Sequence, residues 1–303
     1  MSAHANSAKV IVLALAANAG IAVAKFAGAF FSGSASMLAE AIHSTVDCAN
    51  QILLLIGNKR SQRPATPQYP LGFGREAFFW SFIVAILLFS LGGLFAIYEG
   101  VHKLSAHEEV SSPFLGLGIL FVAIILEGMS FYACIKEVKA QNTYGSLWTW
   151  FHKTTSSELL VVFTEDAAAM LGLVLAAIAL TLAWVTGNSM WDAAGSIAVG
   201  SLLVVVAVLL AIEIKSLLIG EAPATDFKGF IEAKMAVLIP GGRVFHLIAL
   251  QIGAQEVMLS CKLSPGQLQD TTQLVDAINT IERDLKARFP EVKWSFFEPD
   301  LKD

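Results

Sequence analysis

Charge is scarce in this chain: Asp, Glu, Lys and Arg make up 15% of its 303 residues, against 55% hydrophobic. Soluble domains carry about a quarter charged residues, so with a mean hydropathy of +0.65 the chain reads as an integral membrane protein. The charge present sums to -5, which leaves no broad basic face and excludes nucleic acid as a natural partner. Cysteine is scarce too. Cys48, Cys134 and Cys261 are scattered, with no CxxC pair, so a disulfide scaffold is excluded and individually packed, reduced thiols are expected. No HExxH motif, internal repeat or low-complexity stretch occurs. Residues 1–8 are polar, with no apolar signal core and no Arg-rich leader, so the first apolar run is expected to be a retained span.

What is abundant is apolar runs long enough to cross a bilayer. Six are read, at 8–30, 35–57, 77–102, 112–135, 157–184 and 191–214. Residues 58–76 between the second and third carry Lys59, Arg60, Arg63 and Arg75 with three prolines, a polar loop whose Gly72-Phe73-Gly74 is a turn and not a nucleotide loop. Basic residues gather on the cytoplasmic side of membranes. Here they follow the second, fourth and sixth spans (Lys136, Lys139, Lys153 and Lys215 after the last two), so both termini are expected in the cytoplasm. Trp80, Trp184 and Trp191 sit near span ends, as interfacial rings do. After Gly220 the pattern changes to a helix at 226–238, strands at 244–252 and 257–263, an amphipathic helix at 268–289 and a strand at 292–297. That αββαβ order predicts a small cytoplasmic α+β domain. The division is therefore a six-helix membrane domain over 1–220 and a cytoplasmic domain over 221–303.

Within the second run, Glu40, His43 and Asp47 fall at i, i+3 and i+7, so all three share one helix face. Ionisable groups at membrane depth are costly and by default mark an ion or proton pathway. The fifth run adds Glu165 and Asp166, followed by the small residues Ala167, Ala168, Ala169 and Gly172 that allow close helix approach. A lone membrane histidine is ordinarily an interhelical hydrogen-bonder, but acids on its own face and on the fifth span favour a metal site. One imidazole with two or more carboxylates is a mixed N/O donor set that cancels the charge of a dication and suits Zn²⁺, with Mn²⁺, Fe²⁺, Co²⁺ and Cd²⁺ admissible. Metal and protons compete for such ligands, which is the physical basis of metal/proton antiport. Glu127 and Asp192 read as helix-end or interhelical hydrogen-bond partners, and His4, His102, His107 and His152 lie at ends or loops. Two other classes compete with transport: an intramembrane metallohydrolase with an open water position, and a non-transporting metal sensor. The first lacks a general base beside a His pair, and the second is poorly served by so few His and Cys.

Six spans, acids and a His on the second and fifth, the loop Tyr69-Pro70-Leu71-Gly72-Phe73-Gly74-Arg75-Glu76 and the terminal αββαβ pattern together resemble the cation diffusion facilitators. Glu165-Asp166-Ala167-Ala168 and Asp192-Ala193-Ala194-Gly195-Ser196 resemble most the branch containing the animal mitochondrial zinc exporter. The resemblance implies homodimeric export of a divalent metal, most simply Zn²⁺, in exchange for protons, with no prosthetic group. It also implies a ferredoxin-like fold for the cytoplasmic domain, and with no leader a bacterial inner membrane is the expected home. His43 and Asp47 stand where the family has its span-two ligand pair, and Asp166 where it has the second ligand of the span-five pair. The first ligand of that pair falls at Val162, which cannot bind metal, so Glu165, Glu40 or water is expected to complete the set. In the cytoplasmic domain only His246 stands where relatives bind zinc, so dimer contacts without strong metal regulation are expected.

Overall fold

The computed structural model describes residues 2–106, 112–142 and 145–302; His107 lies outside them. The chain opens with helices α1 (Ser2–Ser32) and α2 (Ala35–Ser61). Next come α3 (Glu76–Leu87), a π-helical segment (Leu88–Leu94) and α4 (Phe95–Ala106), and then α5 (Pro113–Gln141) and the short α6 (Leu147–Lys153). Helices α7 (Ser157–Thr186) and α8 (Met190–Ile219) complete the bundle. Among the described residues four stretches are long and apolar enough to cross a membrane: 76–105, 113–140, 157–186 and 190–219. The other two expected runs are the helices α1 and α2, and α2 is the more polar for a visible reason, since it carries Glu40, His43, Asp47, Asn50 and Gln51 inside its apolar sequence.

Helix α2 occupies the middle of the bundle, packed against α1, α3, α4, α7 and α8. Its N-terminus is fixed twice over. The Ser34 hydroxyl accepts from the Met37 amide, and Asp192 at the start of α8 receives the Ser34 hydroxyl at 2.5 Å, the Ala35 amide at 2.6 Å and the Ser36 hydroxyl. A carboxylate at a helix N-terminus also meets the positive end of the helix dipole. Lys103 of α4 lies 3.2 Å from the same carboxylate. The π-helical segment lets α8 approach closely: a Cβ added at Gly200 would lie 2.7 Å from both the Gly93 carbonyl oxygen and the Ile97 amide nitrogen. Small residues at such crossings are how membrane helices gain packing without a hydrophobic drive.

Beyond Gly220, α9 (Phe227–Leu238), β1 (Val244–Gly253), β2 (Glu256–Leu263), α10 (Thr271–Arg288) and β3 (Val292–Pro299) follow the expected αββαβ order. The sheet order is β1-β2-β3, with β1/β2 antiparallel and β2/β3 parallel. Strand β2 alternates in burial, and its Val257, Leu259, Cys261 and Leu263 face Ile231 and Met235 of α9 and Ile281 and Leu285 of α10. Both helices therefore cover one face of the sheet. Burial pushes the Cys261 thiol up to about 11. The β1/β2 turn rests on the loops of the bundle: Thr155 donates to the Ala254 carbonyl at 3.0 Å, and Gly74 packs against Gly253 so closely that its added Cβ would meet the Gly253 Cα at 3.0 Å.

Candidate cation site within the helix bundle

The second-span motif folds as its spacing requires. Glu40 and His43 are wholly buried on α2, and the His43 Nδ1 lies 3.5 Å from Asp47 Oδ1, one turn on. Neither His43 ring nitrogen has a hydrogen-bond partner, nor do Asp47 Oδ1 and the Asn50 Oδ1. Leaving a buried polar atom unpaired costs about 1–3 kcal/mol each, so this is a strained arrangement for a purely structural network. The interhelical hydrogen bond that would make His43 an ordinary packing residue is absent among the described residues.

Asp47, Ser44 and Gln51 of α2, Val162, Glu165 and Asp166 of α7, Glu127 of α5 and Asn18 of α1 line one small cavity of about 20 Å³. That is room for a single water-sized occupant. Of the residues named from the sequence, the fold brings Asp47, Glu165 and Asp166 to this cavity, with His43 in contact behind Asp47. Asn50 holds Glu165 by a hydrogen bond of 2.5 Å from its side-chain amide, while Asp166 receives the Ser130 hydroxyl at 3.4 Å. Among the described residues no three His, Cys, Asp or Glu converge closely enough to hold a metal as placed. The carboxylates instead surround the cavity from three helices, α2, α5 and α7.

Glu40 is placed elsewhere. It pairs with Lys25 of α1 at 3.3 Å and presses on Gly172 of α7, where an added Cβ would lie 2.5 Å from Glu40 Oε1. Lys25, wholly buried, also donates to Ser44 at 2.7 Å and lies 3.8 Å from Glu127. The sequence reading passed over Lys25 and Asn50. Both carried a signal: Lys25 is an ammonium deep within the first apolar run, and Asn50 lies at i+3 from Asp47 on the same face. Asp192 is the interhelical hydrogen-bond partner expected of it, whereas Glu127 sits in the middle of α5 and not at a helix end. His152, expected at an end or loop, lies in the last turn of α6 and contacts Glu213 of α8 at 2.5 Å. His246 lies exposed on β1 opposite Lys262.

Comparison with known proteins agrees with this architecture. A family model described as the cation efflux transmembrane domain matches residues 11–219. The chain is 33% identical over 220 residues to the mitochondrial proton-coupled zinc antiporter SLC30A9 of Xenopus laevis, covering 72% of this chain and 39% of that protein. It is 34% identical over 222 residues to metal tolerance protein C4 of Arabidopsis thaliana, covering 72% and 48%. The magnetosome protein MamB of Magnetospira sp. is 30% identical over 145 residues, covering 46% and 48%. The chain thus spans less than half the length of these relatives. With an apolar bundle built around a polar second helix and a family match extending across it, the chain belongs to the cation efflux family, the cation diffusion facilitators that its sequence resembles.

Proposed function

We propose that the chain is a secondary transporter that carries a divalent transition-metal cation, Zn²⁺ foremost, out of the cytoplasm in exchange for protons. The observation that carries the reading is the wholly buried His43, unpartnered at both nitrogens and 3.5 Å from Asp47, beside a cavity that Asp166 and Glu165 also line. Burying such groups without partners is costly. A dication in the cavity would take one imidazole lone pair together with the carboxylate oxygens, the second ring nitrogen keeping its proton. The donor set of imidazole and carboxylate oxygens is of borderline softness, which supports Zn²⁺ and admits Mn²⁺, Fe²⁺, Co²⁺ and Cd²⁺. The name of the Xenopus relative, a proton-coupled zinc antiporter, supports both the ion and the coupling. Membership in a transport family removes the metallohydrolase alternative.

Coupling follows from shared ligands. A carboxylate or imidazole that holds a metal cannot hold a proton on the same lone pair, so a proton gradient directed inward displaces metal outward. Alternating access rocks the bundle around a fixed mid-membrane site. In this reading α1 and α2 bring the crossings to six, and the basic loop after α2 places both termini in the cytoplasm. Residues 221–303 form a separate ferredoxin-like unit through which two copies associate. Glu40 stays with Lys25 as an outer carboxylate.

The test is Zn²⁺-driven proton flux in proteoliposomes, read with an internal pH dye. Asp47→Ala and Asp166→Ala each abolish it. Full exchange in both variants contradicts the site.

A further inference from the structure

The donor that position 162 lacks has a replacement in the lining of the same cavity. Val162 offers only methyl groups, yet Glu127 of α5 lines the cavity together with Asp47, Glu165 and Asp166. Glu127 also faces a buried ammonium. Lys25 donates to Ser44 at 2.7 Å and to Glu40 at 3.3 Å, but stands 3.8 Å from Glu127 with no hydrogen bond between them. Glu40 has the closer hold on the single ammonium. Glu127, which stands farther from it, is the carboxylate of the pair that borders the cavity.

A cluster of acids alone would not mark a ligand site. A second observation does: His43 and Asn50 are both wholly buried, and His43 Nδ1, His43 Nε2 and Asn50 Oδ1 have no hydrogen-bond partner. His43 touches Asp47, and Asn50 holds Glu165, so both border the cavity's acidic wall. Asp47, which lines the cavity, also has an Oδ1 with no hydrogen-bond partner among the described residues, and a cation can satisfy that oxygen together with the one lone pair of a neutral His43 imidazole.

We propose that Glu127 is a direct ligand of the transported cation, supplying from α5 the donor that Val162 does not. The inference rests on the transport reading above and deepens it. It makes the site richer in oxygen than a set completed by a histidine would be, which favours harder dications relative to Zn²⁺. Lys25 then acts as the resident counter-ion that holds Glu127 at the cavity edge until the metal draws it in.

The experiment measures equilibrium Zn²⁺ binding to the purified full chain in detergent, by competition with a chromophoric chelator. E127Q keeps the shape but not the charge, and its Kd rises at least ~10-fold, about 1.4 kcal/mol. Adding V162H restores the missing donor, so the E127Q/V162H double variant recovers to within about threefold of wild type. A structural role through Lys25 would not be rescued from position 162. Wild-type affinity in E127Q overturns the inference, as does a loss that the double variant fails to recover while V162H alone binds. Should V162H alone not bind, the visible d–d spectrum of the Co²⁺-loaded protein decides: a band shift in E127Q supports the assignment, and an unchanged spectrum overturns it. D47A separates the two levels of the argument. If D47A binds Zn²⁺ like wild type, the underlying site reading fails; if D47A loses binding and E127Q does not, only the Glu127 assignment fails.

Discussion

The N-terminus and the middle of α2 hold buried polar groups in opposite ways. At its N-terminus Asp192 accepts from the Ser34 and Ser36 hydroxyls and the Ala35 amide, with Lys103 as counter-charge. Two to four turns on, His43, Asp47 and Asn50 keep buried atoms with no hydrogen-bond partner among the described residues. Both sets sit in the same apolar bundle. The first is closed and fixes where α2 begins; the second is left open. A protein tolerates orphaned buried groups where something outside the chain completes them, so the contrast singles out the Asp47 set, and not Asp192, as the candidate site.

That contrast can be broken by mutation. The largest effect is expected from Asp192→Ala, which strands Lys103 and the start of α2 and should cost about 3–5 kcal/mol. On a chain of this size that lowers the thermal midpoint in detergent by on the order of 10 °C. Asp47→Ala removes an atom that nothing in the fold satisfies, so its midpoint should stay at or above wild type even as transport is lost. Equal destabilisation of the two variants would erase the distinction.

A smaller effect tests the packing that holds α2 and α8 in place. Gly200→Ala puts a methyl 2.7 Å from the Gly93 carbonyl and the Ile97 amide, backbone atoms that cannot step aside. Overpacking of this kind costs about 1–3 kcal/mol, read as a lower midpoint and weaker Zn²⁺-driven flux. Unchanged stability would mean that α8 is free to shift.

The smallest effect lies outside the bundle, at Cys261, whose buried thiol titrates at about 11 against an ordinary 9.0. The folded state keeps the proton longer than the unfolded one. Its contribution to stability is therefore complete below about pH 9 and declines as pH rises from 9 to 11. At pH 8 alkylation of Cys261, mapped by mass spectrometry, should be at least ~10-fold slower in the native than in the denatured chain. Comparable rates would show that β2 is not covered by its helices.

How much of this was legible in the sequence depends on the kind of signal. The C-terminal elements were legible because alternation and helical periodicity are local: 226–238 and 292–297 became Phe227–Leu238 and Val292–Pro299. The span at 77–102 was legible as a length of apolar chain, but the π-helical turn inside it was not, because its position depends on how Gly93 meets Gly200 of α8. The face of Glu40, His43 and Asp47 followed from spacing. The partner of Glu40 did not, since nothing in the spacing of α2 says that Lys25 of α1 will stand opposite. Glu127 shows the same limit: one acid in an apolar run could not be placed at the cavity until α5 was packed against α7.

The central claim is that the open set around Asp47 is completed by a metal cation. Ligand binding to the folded state alone stabilises it by about 2.7 kcal/mol at a hundred times Kd. Thermal unfolding of wild type and D47A should therefore be compared with and without Zn²⁺. A Zn²⁺-dependent rise is expected in the wild-type midpoint and none in D47A. An equal rise in both would contradict it.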